Sequence, residues 1–516
     1  MKHILSILAF FLVCSSAFSQ KEKKEKKPSG PKDDGKIEIV FIQVNDVYEI
    51  SPVTGGKEGG MARVATLKKE YQINNPNTFL VMAGDFVSPS VYNSMEYGGK
   101  KIKGAQMIDA MNAAGTDIVC FGNHEFDLKE DELQERINES GFVWVASNVM
   151  HKHGDTIEPF KRNSIRSIPS FPETLIMTVA DRNGTRVKIG FIGLTIPSNP
   201  AEYVSYKDPL ATAILCYNKI KDSVDAVVAI THQALEDDIK LALQLPNLAL
   251  IMGGHEHGME FEKIGKVYIT KAHANARSAF VIKMDINKKN KKINVEPVLK
   301  KLDESVAIDS GANFIVQKWA KIAAESYGTL GFNANRIVIA EGDVLDGRET
   351  ETRNASTGLT RMIGGAMAYT CDSADLCIFN SGSIRIDDVL VPPVSEYDII
   401  RTLPFGGGIR EVLMRGSLLI RILDAGRRNR GSGGFLQTMP TMYDAGSSFL
   451  LNNSPIGAHK IYRVALTDFL LSGKEANLAF LNESNKDIVK IFPAATSKND
   501  PKLDIRMAVI NFLDNL

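Results

Sequence analysis

The chain has 516 residues, of which 44% are apolar and 24% charged, so its composition is that of a globular protein with room for more than one core. Lysine plus arginine and aspartate plus glutamate each number 61, so the formal net charge is zero. A neutral chain has no basic field that would attract nucleic acid. We therefore expect a small-molecule partner and no polynucleotide partner.

The first residues have the layout of a secretory signal. The apolar run Ile4–Val13 follows Lys2 and precedes small residues, which predicts a signal peptide at 1–19. The run is shorter than the ~20 residues that cross a bilayer as a helix, so we expect an exported chain, periplasmic or extracellular, with no stable membrane span. Cys14 leaves open the alternative of a lipoprotein.

The rest of the sequence divides into segments of different composition. Residues 20–36 are charged and lysine-rich, which is typical of a flexible linker. Short apolar runs alternate with helical patterns at 37–305, which favours an α/β sandwich. A helical pattern from Asn313 to Tyr327 predicts a connecting helix within 306–334, and a second domain is expected at 335–516. The pattern does not indicate an oligomeric state.

Four cysteines remain beyond the predicted signal, which is too few for a disulfide scaffold in a chain of this length. Cys120 ends an apolar run, which predicts that its thiol is buried. Cys371 and Cys377 leave open a single bridge, which their spacing does not decide.

Five apolar runs in the first half each end in residues of metal-ligating type. The runs are Ile37–Val44, Phe79–Ala83, Ile118–Phe121, Val227–Ile230 and Leu248–Met252. Read as strands, they bring these residues to one edge of a sheet, at the strands' carboxyl ends, where α/β sheets build their sites. The residues brought together in this way are Asp46, Asp85, Asn123, His232, His255 and His257.

This mixture of ligands predicts a pair of ions. Carboxylate, amide and imidazole groups together suit Zn, Mn or Fe better than Mg alone. Six ligands are too many for one tetrahedral ion. Two divalent ions that share a bridging carboxylate use them all, hold a hydroxide between them and clamp the oxygens of an in-line phosphoryl displacement.

Each residue taken singly has a structural explanation that involves no metal. Asp46 or Asp85 alone is more often a helix cap or a turn residue, and His232 alone is more often a core histidine. Their joint occurrence, in order and at matching strand ends, favours the metal site. The histidines at 151, 153 and 459 fall in polar, loop-like stretches and receive no role.

At these residues the sequence resembles the 5'-nucleotidase family of calcineurin-like metallophosphoesterases, and the GNHEFD block at 122–127 is highly specific. The resemblance implies a four-layer α/β/β/α metallophosphoesterase sandwich with a second, smaller α/β substrate-binding domain. It also implies how the ligands are shared. Asp85 would bridge the ions, with Asn123, His232 and His255 on one ion and Asp46 and His257 on the other.

The resemblance further implies two catalytic residues. His124 would donate to the phosphate and offset charge on the leaving oxygen, and Asp127 would orient the imidazole. The chain departs from the family at Tyr48, where the family has histidine. Tyr48 would bind an ion as phenolate, yield the position to Glu49 or water, or leave one metal site weak.

In the second half, four residues resemble the family's substrate-binding positions, namely Arg353, Asn380, Arg385 and Phe405. Guanidinium groups and a planar ring suit phosphates and a nucleobase. The loop at 473–477 lacks the family's second stacking ring, which predicts a one-sided platform for the base and a loose base preference.

The resulting expectation is an exported, metal-dependent phosphoric monoester hydrolase of the 5'-nucleotidase type, in which metal-activated hydroxide attacks the phosphate of a nucleotide. Related alternatives are a 2',3'-cyclic-nucleotide phosphodiesterase, a 3'-nucleotidase or a nucleotide-sugar hydrolase. From another class, Tyr48 and the missing ring leave open a degenerate protein that binds a phosphorylated ligand without turnover.

Overall fold

The structure is a computed structural model that describes residues 33–163, 170–198, 201–440, 443–444 and 448–516. The predicted signal peptide at 1–19 and most of the linker at 20–36 lie outside these residues. Within the described ranges, no helix combines the length and the apolar character that a bilayer crossing requires.

The first half of the chain contains seventeen of the described strands and six of the described helices. The strands are β1 Lys36–Val44, β2 Thr78–Ala83, β3 Glu96–Tyr97, β4 Lys100–Lys101, β5 Ile118–Cys120, β6 Val143–Trp144, β7 Val149–His153, β8 Thr156–Glu158, β9 Thr174–Ala180, β10 Arg186–Thr195, β11 Val204–Tyr206, β12 Ala226–His232, β13 Leu250–Gly254, β14 Glu260–Ile264, β15 Val267–Lys271, β16 Ser278–Asn287 and β17 Lys292–Lys301. The helices are α1 Met61–Asn74, α2 Ala105–Ala114, α3 Glu130–Glu139, α4 Pro209–Ile220, α5 Leu235–Gln244 and α6 Ser310–Thr329.

Two mixed sheets form the centre of this domain. One has the strand order β17-β16-β1-β2-β5-β6 and the other has the order β14-β15-β13-β12-β10-β9. Side chains alternate along each strand, so β1 directs Ile39 and Phe41 towards the facing sheet and Ile42 towards the helices. Phe191 of the second sheet meets Phe41 edge to face, with ring centroids 6.0 Å apart.

Helices cover the outer face of each sheet. Apolar side chains of α1 and α2 pack on the first sheet, and those of α4 and α5 pack on the second. The layers are therefore α/β/β/α, which confirms the expected sandwich. One detail of the sequence-based picture was wrong: the five strands that lead into the predicted ligands belong to two sheets, not one. β1, β2 and β5 lie in the first sheet and β12 and β13 in the second, because the short apolar runs carry no signal that distinguishes facing sheets.

The second half forms a smaller α/β domain. Its described helices are α7 Glu349–Thr352, α8 Gly358–Thr370, α9 Glu396–Thr402, α10 Gly416–Arg428, α11 Asp468–Leu471 and α12 Ile505–Asp514. Its described strands are β18 Ile337–Ile339, β19 Leu345–Asp346, β20 Leu376–Asn380, β21 Val389–Leu390, β22 Val394–Ser395, β23 Ile409–Arg415, β24 Leu436–Met439, β25 Tyr443–Asp444, β26 Phe449–Leu451, β27 Ser454–Pro455, β28 Ile461–Thr467 and β29 Ile488–Ile491. Five of them make a sheet in the order β24-β20-β28-β23-β29.

The helix predicted between the two halves is α6. Asp309 caps its first turn by accepting a hydrogen bond from the backbone of Ala312 at 2.9 Å. Ala312, Val316, Trp319 and Tyr327 form a buried stripe at helical spacing. The stripe belongs to one continuous apolar cluster that includes α1 and α2 of the first domain and α8 and α12 of the second. The domain boundaries on either side of α6 stay predictions.

The cysteines in the described ranges are free thiols, and Cys120, Cys216, Cys371 and Cys377 are all buried. Cys120 lies on the inner face of β5, as its apolar context predicts.

Candidate metal centre and active site

Strands from both sheets end at the same place. Asp46 follows β1 by two residues, Asp85 follows β2 by two residues, and β12 of the facing sheet ends at His232. The Nδ1 of His232 donates a hydrogen bond to the carbonyl of Ala83 at 2.8 Å. This bond joins the two sheets at their carboxyl ends and fixes the orientation of the imidazole.

The other nitrogen of His232 faces carboxylates. Nε2 lies 3.0 Å from Asp85 Oδ2 and 3.9 Å from Asp46 Oδ1, and all three side chains are buried. Their ligand atoms lie within 4.8 Å of one another. Because Nδ1 donates to Ala83, Nε2 is the nitrogen that faces the acidic oxygens, and either a proton or a metal ion at that position offsets their charge. These residues fit a divalent ion.

Charge at this place also shifts the protonation of His232. Burial lowers its pKa, but Asp85 and Asp46 outweigh burial and raise the pKa to about 9. The same carboxylates that hold a proton on His232 would favour a metal ion in its stead.

Asn123 and His255 lie beside this group. The side-chain oxygen of Asn123 is buried and has no hydrogen-bond partner among the described residues. An unpaired buried acceptor costs about 1–3 kcal/mol, so a bound cation would stabilise it. The backbone N–H of His255 donates to Asp46 Oδ2 at 3.0 Å, and its ring lies 5.4 Å from that of His232. Burial and the charge on His232 lower the pKa of His255 to about 4, which keeps the ring in the neutral form that binds metals.

The backbone around the candidate ligands is strained. Asp46, Asp85 and His255 have φ angles of 52°, 56° and 90°, in the left-handed region that such residues rarely adopt. Each such residue costs about 1–3 kcal/mol, and strain of this kind concentrates at functional sites. A side chain on Gly122 would collide with the carboxylate of Asp85, so glycine is required there.

Glu125 supports the loops and was missed as a functional residue in the sequence. Its buried carboxylate accepts hydrogen bonds from the backbone of Gly122 at 2.6 Å, Phe86 at 2.7 Å and Asp85 at 3.0 Å. Burial and the nearby Asp85 raise the pKa of Glu125 to about 7. Its place in the GNHEFD block was the available signal, but two of its three backbone partners, Asp85 and Phe86, are 40 and 39 residues away in sequence.

His124 and Asp127 form the pair expected from the resemblance. Nδ1 of His124 lies 2.7 Å from Asp127 Oδ2, which also accepts a hydrogen bond from Ser88 Oγ at 3.0 Å. The backbone N–H of His124 donates to Asp85 Oδ1 at 2.8 Å, so the pair adjoins the candidate metal centre. Burial lowers the pKa of His124, but Asp85 and Asp127 raise it by more, and the net shift is upward.

Tyr48 occupies the centre of the site. Its hydroxyl lies 3.0 Å from His257 Nε2, 3.3 Å from Asp85 Oδ2 and 3.4 Å from Asp46 Oδ1. Burial and the two carboxylates raise the pKa of Tyr48 well above its usual value, so the phenol is neutral in this arrangement. Glu49 does not take its place, because the carboxylate of Glu49 accepts a hydrogen bond from Tyr397 of the second domain instead.

His257 connects the centre to the second domain. Its Nε2 lies 3.6 Å from Asp46 Oδ1, and its Nδ1 lies 2.9 Å from Asp387 Oδ2 and 3.1 Å from the Asp387 carbonyl. Burial lowers the pKa of His257, but Asp387 and Asp46 raise it to about 10. Asp387 was not predicted as a site residue from the sequence, because it lies 130 residues from its partner His257.

Of the two predicted arginines of the second domain, Arg385 lies beside this centre and Arg353 shares a partner with Arg385. Arg353 forms an ion pair with Glu349, and the guanidinium of Arg385 lies 3.7 Å from the same carboxylate. Arg385 lines a small cavity together with Tyr48, and its charge also acts on His124, where it opposes the upward pKa shift. Arg385 therefore lies next to Tyr48 and the candidate metal centre, and Arg353 is linked to Arg385 through Glu349.

The residues near the predicted base-binding position differ in whether their side chains are paired, exposed or covered. Asn380 donates to Glu475 Oε2 at 2.7 Å, so the loop without the second ring contributes a carboxylate. The ring of Phe405 is 70% exposed. Phe480, which follows that loop, lies under the guanidinium of Arg421 with the ring centroid 3.7 Å away, so its face is already covered. Phe405 is thus the ring available to a base among these residues.

Comparison with known proteins defines the class of the chain. Residues 39–259 match the family model of the calcineurin-like phosphoesterases, and residues 338–482 match that of the 5'-nucleotidase C-terminal domain. The two matched regions are those of the sandwich and of the smaller domain. The chain is therefore a phosphoester hydrolase of the metallophosphoesterase class, and it belongs to the 5'-nucleotidase family.

Three relatives illustrate how distant the similarity is and how much of each chain it covers. The 5'-nucleotidase of Bos taurus is 23% identical over 506 aligned residues, which cover 84% of this chain and 83% of the relative. A 5'-nucleotidase precursor from Thermus thermophilus superposes with a TM-score of 0.62 at 19% identity, covering 93% of this chain and 96% of that one. The sulfate thiohydrolase SoxB from Thermus thermophilus also superposes with a TM-score of 0.62, at 13% identity, and the match covers 95% of this chain and 95% of that one. At these identities the structural matches establish the fold alone.

Proposed function

We propose that the chain is an exported, metal-dependent phosphoric monoester hydrolase that acts on nucleotides. Its centre would hold two divalent ions, of Zn, Mn or Fe type, through the six ligands predicted from sequence. The observation that supports this most strongly is the buried group of Asp46, Asp85 and His232, whose ligand atoms lie within 4.8 Å of one another. The side-chain oxygen of Asn123, next to Gly122 and His124, is a buried acceptor without a partner among the described residues.

When bound, the ions would supply the positive charge that polarises a phosphoryl group and activates water. The protein's own residues add orientation and protons. Arg353 and Arg385 offer planar donors to phosphate oxygens from the side of the second domain. Because Nδ1 of His124 is occupied by Asp127, the proton available to a leaving oxygen is on Nε2.

The substrate class is tested by phosphate release with Mn²⁺, Zn²⁺ or Co²⁺ added to the purified full-length chain. The panel is AMP, UMP, 3'-AMP, 2',3'-cyclic AMP and a UDP-sugar. We expect the 5'-monophosphates to react fastest, with little preference between AMP and UMP. Faster release from 3'-AMP, the cyclic ester or the UDP-sugar would favour the related phosphoesterases. No release, with less than one tightly held ion per chain, would favour a binding protein.

Tyr48→His should strengthen metal binding. The substitution places an imidazole where the phenol now lies between His257, Asp85 and Asp46. We expect about a tenfold gain in affinity for the more weakly held ion, measured by competition with a chromogenic chelator. Tyr48→Phe, which removes the hydroxyl alone, should leave metal affinity unchanged. Loss of metal in Tyr48→Phe would show instead that the phenol is itself a ligand.

Phe405→Ala should weaken nucleotide binding selectively. Stacking on one ring contributes about 1–3 kcal/mol, so we expect KM for AMP to rise about 5- to 150-fold, with KM for p-nitrophenyl phosphate unchanged. Phe314 on α6 is 73% exposed, so Phe314→Ala is a matched control that should behave like wild type. An equal rise in KM for both substrates would contradict a base-stacking role.

A further inference from the structure

A second cluster of metal-ligating side chains lies on the small sheet of β11, β7 and β8. His151 and His153, which the sequence placed in a polar loop, are two residues apart on β7, so both project from the same face of the strand. Glu130, the first residue of α3, lies between them. Its Oε1 is 2.8 Å from His151 Nε2 and 2.9 Å from His153 Nδ1. The three donor atoms lie within 4.8 Å of one another.

The cluster combines one fixed imidazole with one that is open to solvent. His151 is buried, and its ring stacks on Phe160 with centroids 4.9 Å apart and an interplanar angle of 15°. The strand pairing places Glu158 directly opposite His151. The side chain of His153 is 68% exposed. A rigid base with an accessible outer ligand is suited to an ion that keeps water in its remaining positions.

We propose that Glu130, His151 and His153 form a binding site for a transition-metal dication, with Zn²⁺ as the best match. Two imidazole nitrogens and one carboxylate oxygen are typical zinc ligands, whereas Mg²⁺ and Ca²⁺ select oxygen. Ligands at ~2.0–2.2 Å from a tetrahedral ion lie about 3.3–3.5 Å apart. The distances from Glu130 Oε1 to His151 Nε2 and to His153 Nδ1 therefore need to lengthen by only about half an ångström to accommodate the ion.

This site shares no ligand with the candidate catalytic centre, but it adjoins the same segment of chain. Glu130 lies three residues after Asp127. Tyr203 packs edge-on against His151, with centroids 6.4 Å apart, and its hydroxyl donates to the carbonyl of Leu128 at 2.7 Å. An ion at the cluster would therefore tie β7 to the start of α3 and brace the turn that holds His124 and Asp127. We expect its main effect to be on stability.

The test uses the full-length chain, stripped with a chelator and titrated with Zn²⁺ alone. Bound zinc per chain is measured by equilibrium dialysis and metal analysis. His153→Ala and Glu130→Gln should each bind one ion fewer than wild type and show a smaller rise in Tm on adding Zn²⁺. His459 is an exposed histidine outside the cluster, so His459→Ala is the matched control and should bind as wild type does.

Circular dichroism of each variant before titration establishes that it is folded, and His153 is exposed enough for its replacement to be tolerated. The comparison is a difference between variants, so it does not depend on whether the catalytic centre holds two ions, one or none. Phosphate release by His153→Ala should equal that of wild type. If both cluster variants bind as much Zn²⁺ as the wild type, with the same affinity, the site does not exist.

Discussion

Asp85→Asn is expected to lower kcat/KM for AMP by about 10³-fold or more. Asp85 faces His232 through one carboxylate oxygen and accepts the backbone N–H of His124 through the other. An amide keeps the shape but loses the negative charge, and a group placed to bridge two cations contributes several kcal/mol of transition-state stabilisation, at about 1.4 kcal/mol per tenfold in rate. The measurement is steady-state phosphate release with saturating Mn²⁺ or Zn²⁺, together with metal content.

The matched control is Asp372→Asn, at an exposed aspartate of the second domain. It should leave both rate and metal content unchanged. Because Asp85 is buried in a strained loop, the Asp85→Asn protein is first compared with wild type by circular dichroism and Tm. A folded Asp85→Asn variant that hydrolyses AMP at the wild-type rate would refute the proposed centre.

His124→Ala should reduce kcat for AMP by about 10²-fold or more, in the range typical of a positioned proton donor. The loss should depend on the leaving group. The ribose oxygen of AMP leaves as a poor alkoxide and needs the proton, whereas p-nitrophenolate leaves without one. We therefore expect a much smaller loss with p-nitrophenyl phosphate than with AMP.

Asp127→Asn provides the companion to this measurement. It keeps the hydrogen-bonding shape beside His124 Nδ1 but removes the charge that orients and stabilises the imidazolium. We expect a smaller loss than in His124→Ala, with the same dependence on leaving group. Equal losses with both substrates in His124→Ala would mean that the imidazole binds phosphate or supports the metal centre and does not protonate the leaving oxygen.

The part of this site that sequence predicts is local in character. Asp46, Asp85 and His232 each lie two residues beyond a short apolar run, and the chemistry of a strand end can be predicted from a few consecutive residues. The four-layer fold and the smaller second domain, which the resemblance carried by the GNHEFD block implied, were also confirmed. The strand bounds agree to within two residues or so, as in Ile118–Cys120 for the predicted run Ile118–Phe121.

The part that sequence did not predict depends on distant partners. Asp387 reaches His257 across the domain interface, and Glu475 reaches Asn380 across 95 residues. Neither Asp387 nor Glu475 lies in a sequence motif that would identify its partner. Apolar runs likewise predict strands without assigning them to a sheet, which is why the division of the strands over two facing sheets was missed.

Tyr48 shows how far one substitution changes a site that is otherwise complete. Its hydroxyl lies among the candidate ligands, whereas Glu49 turns away to Tyr397. Of the alternatives left open by the sequence, replacement by Glu49 has no support in this geometry. Burial and the two carboxylates raise the pKa of the phenol in the metal-free chain, so phenolate ligation requires an ion that displaces the phenol's proton.

Two cations are expected to bind between strand ends of the facing sheets. Anomalous diffraction from crystals of the full-length protein grown with Mn²⁺ locates them. We predict two anomalous peaks on either side of the Asp85 carboxylate, one next to Asn123, His232 and His255 and the other next to Asp46 and His257. If crystals of a protein that releases phosphate with Mn²⁺ show no peak at Asp85, the two ions do not bind between these strand ends.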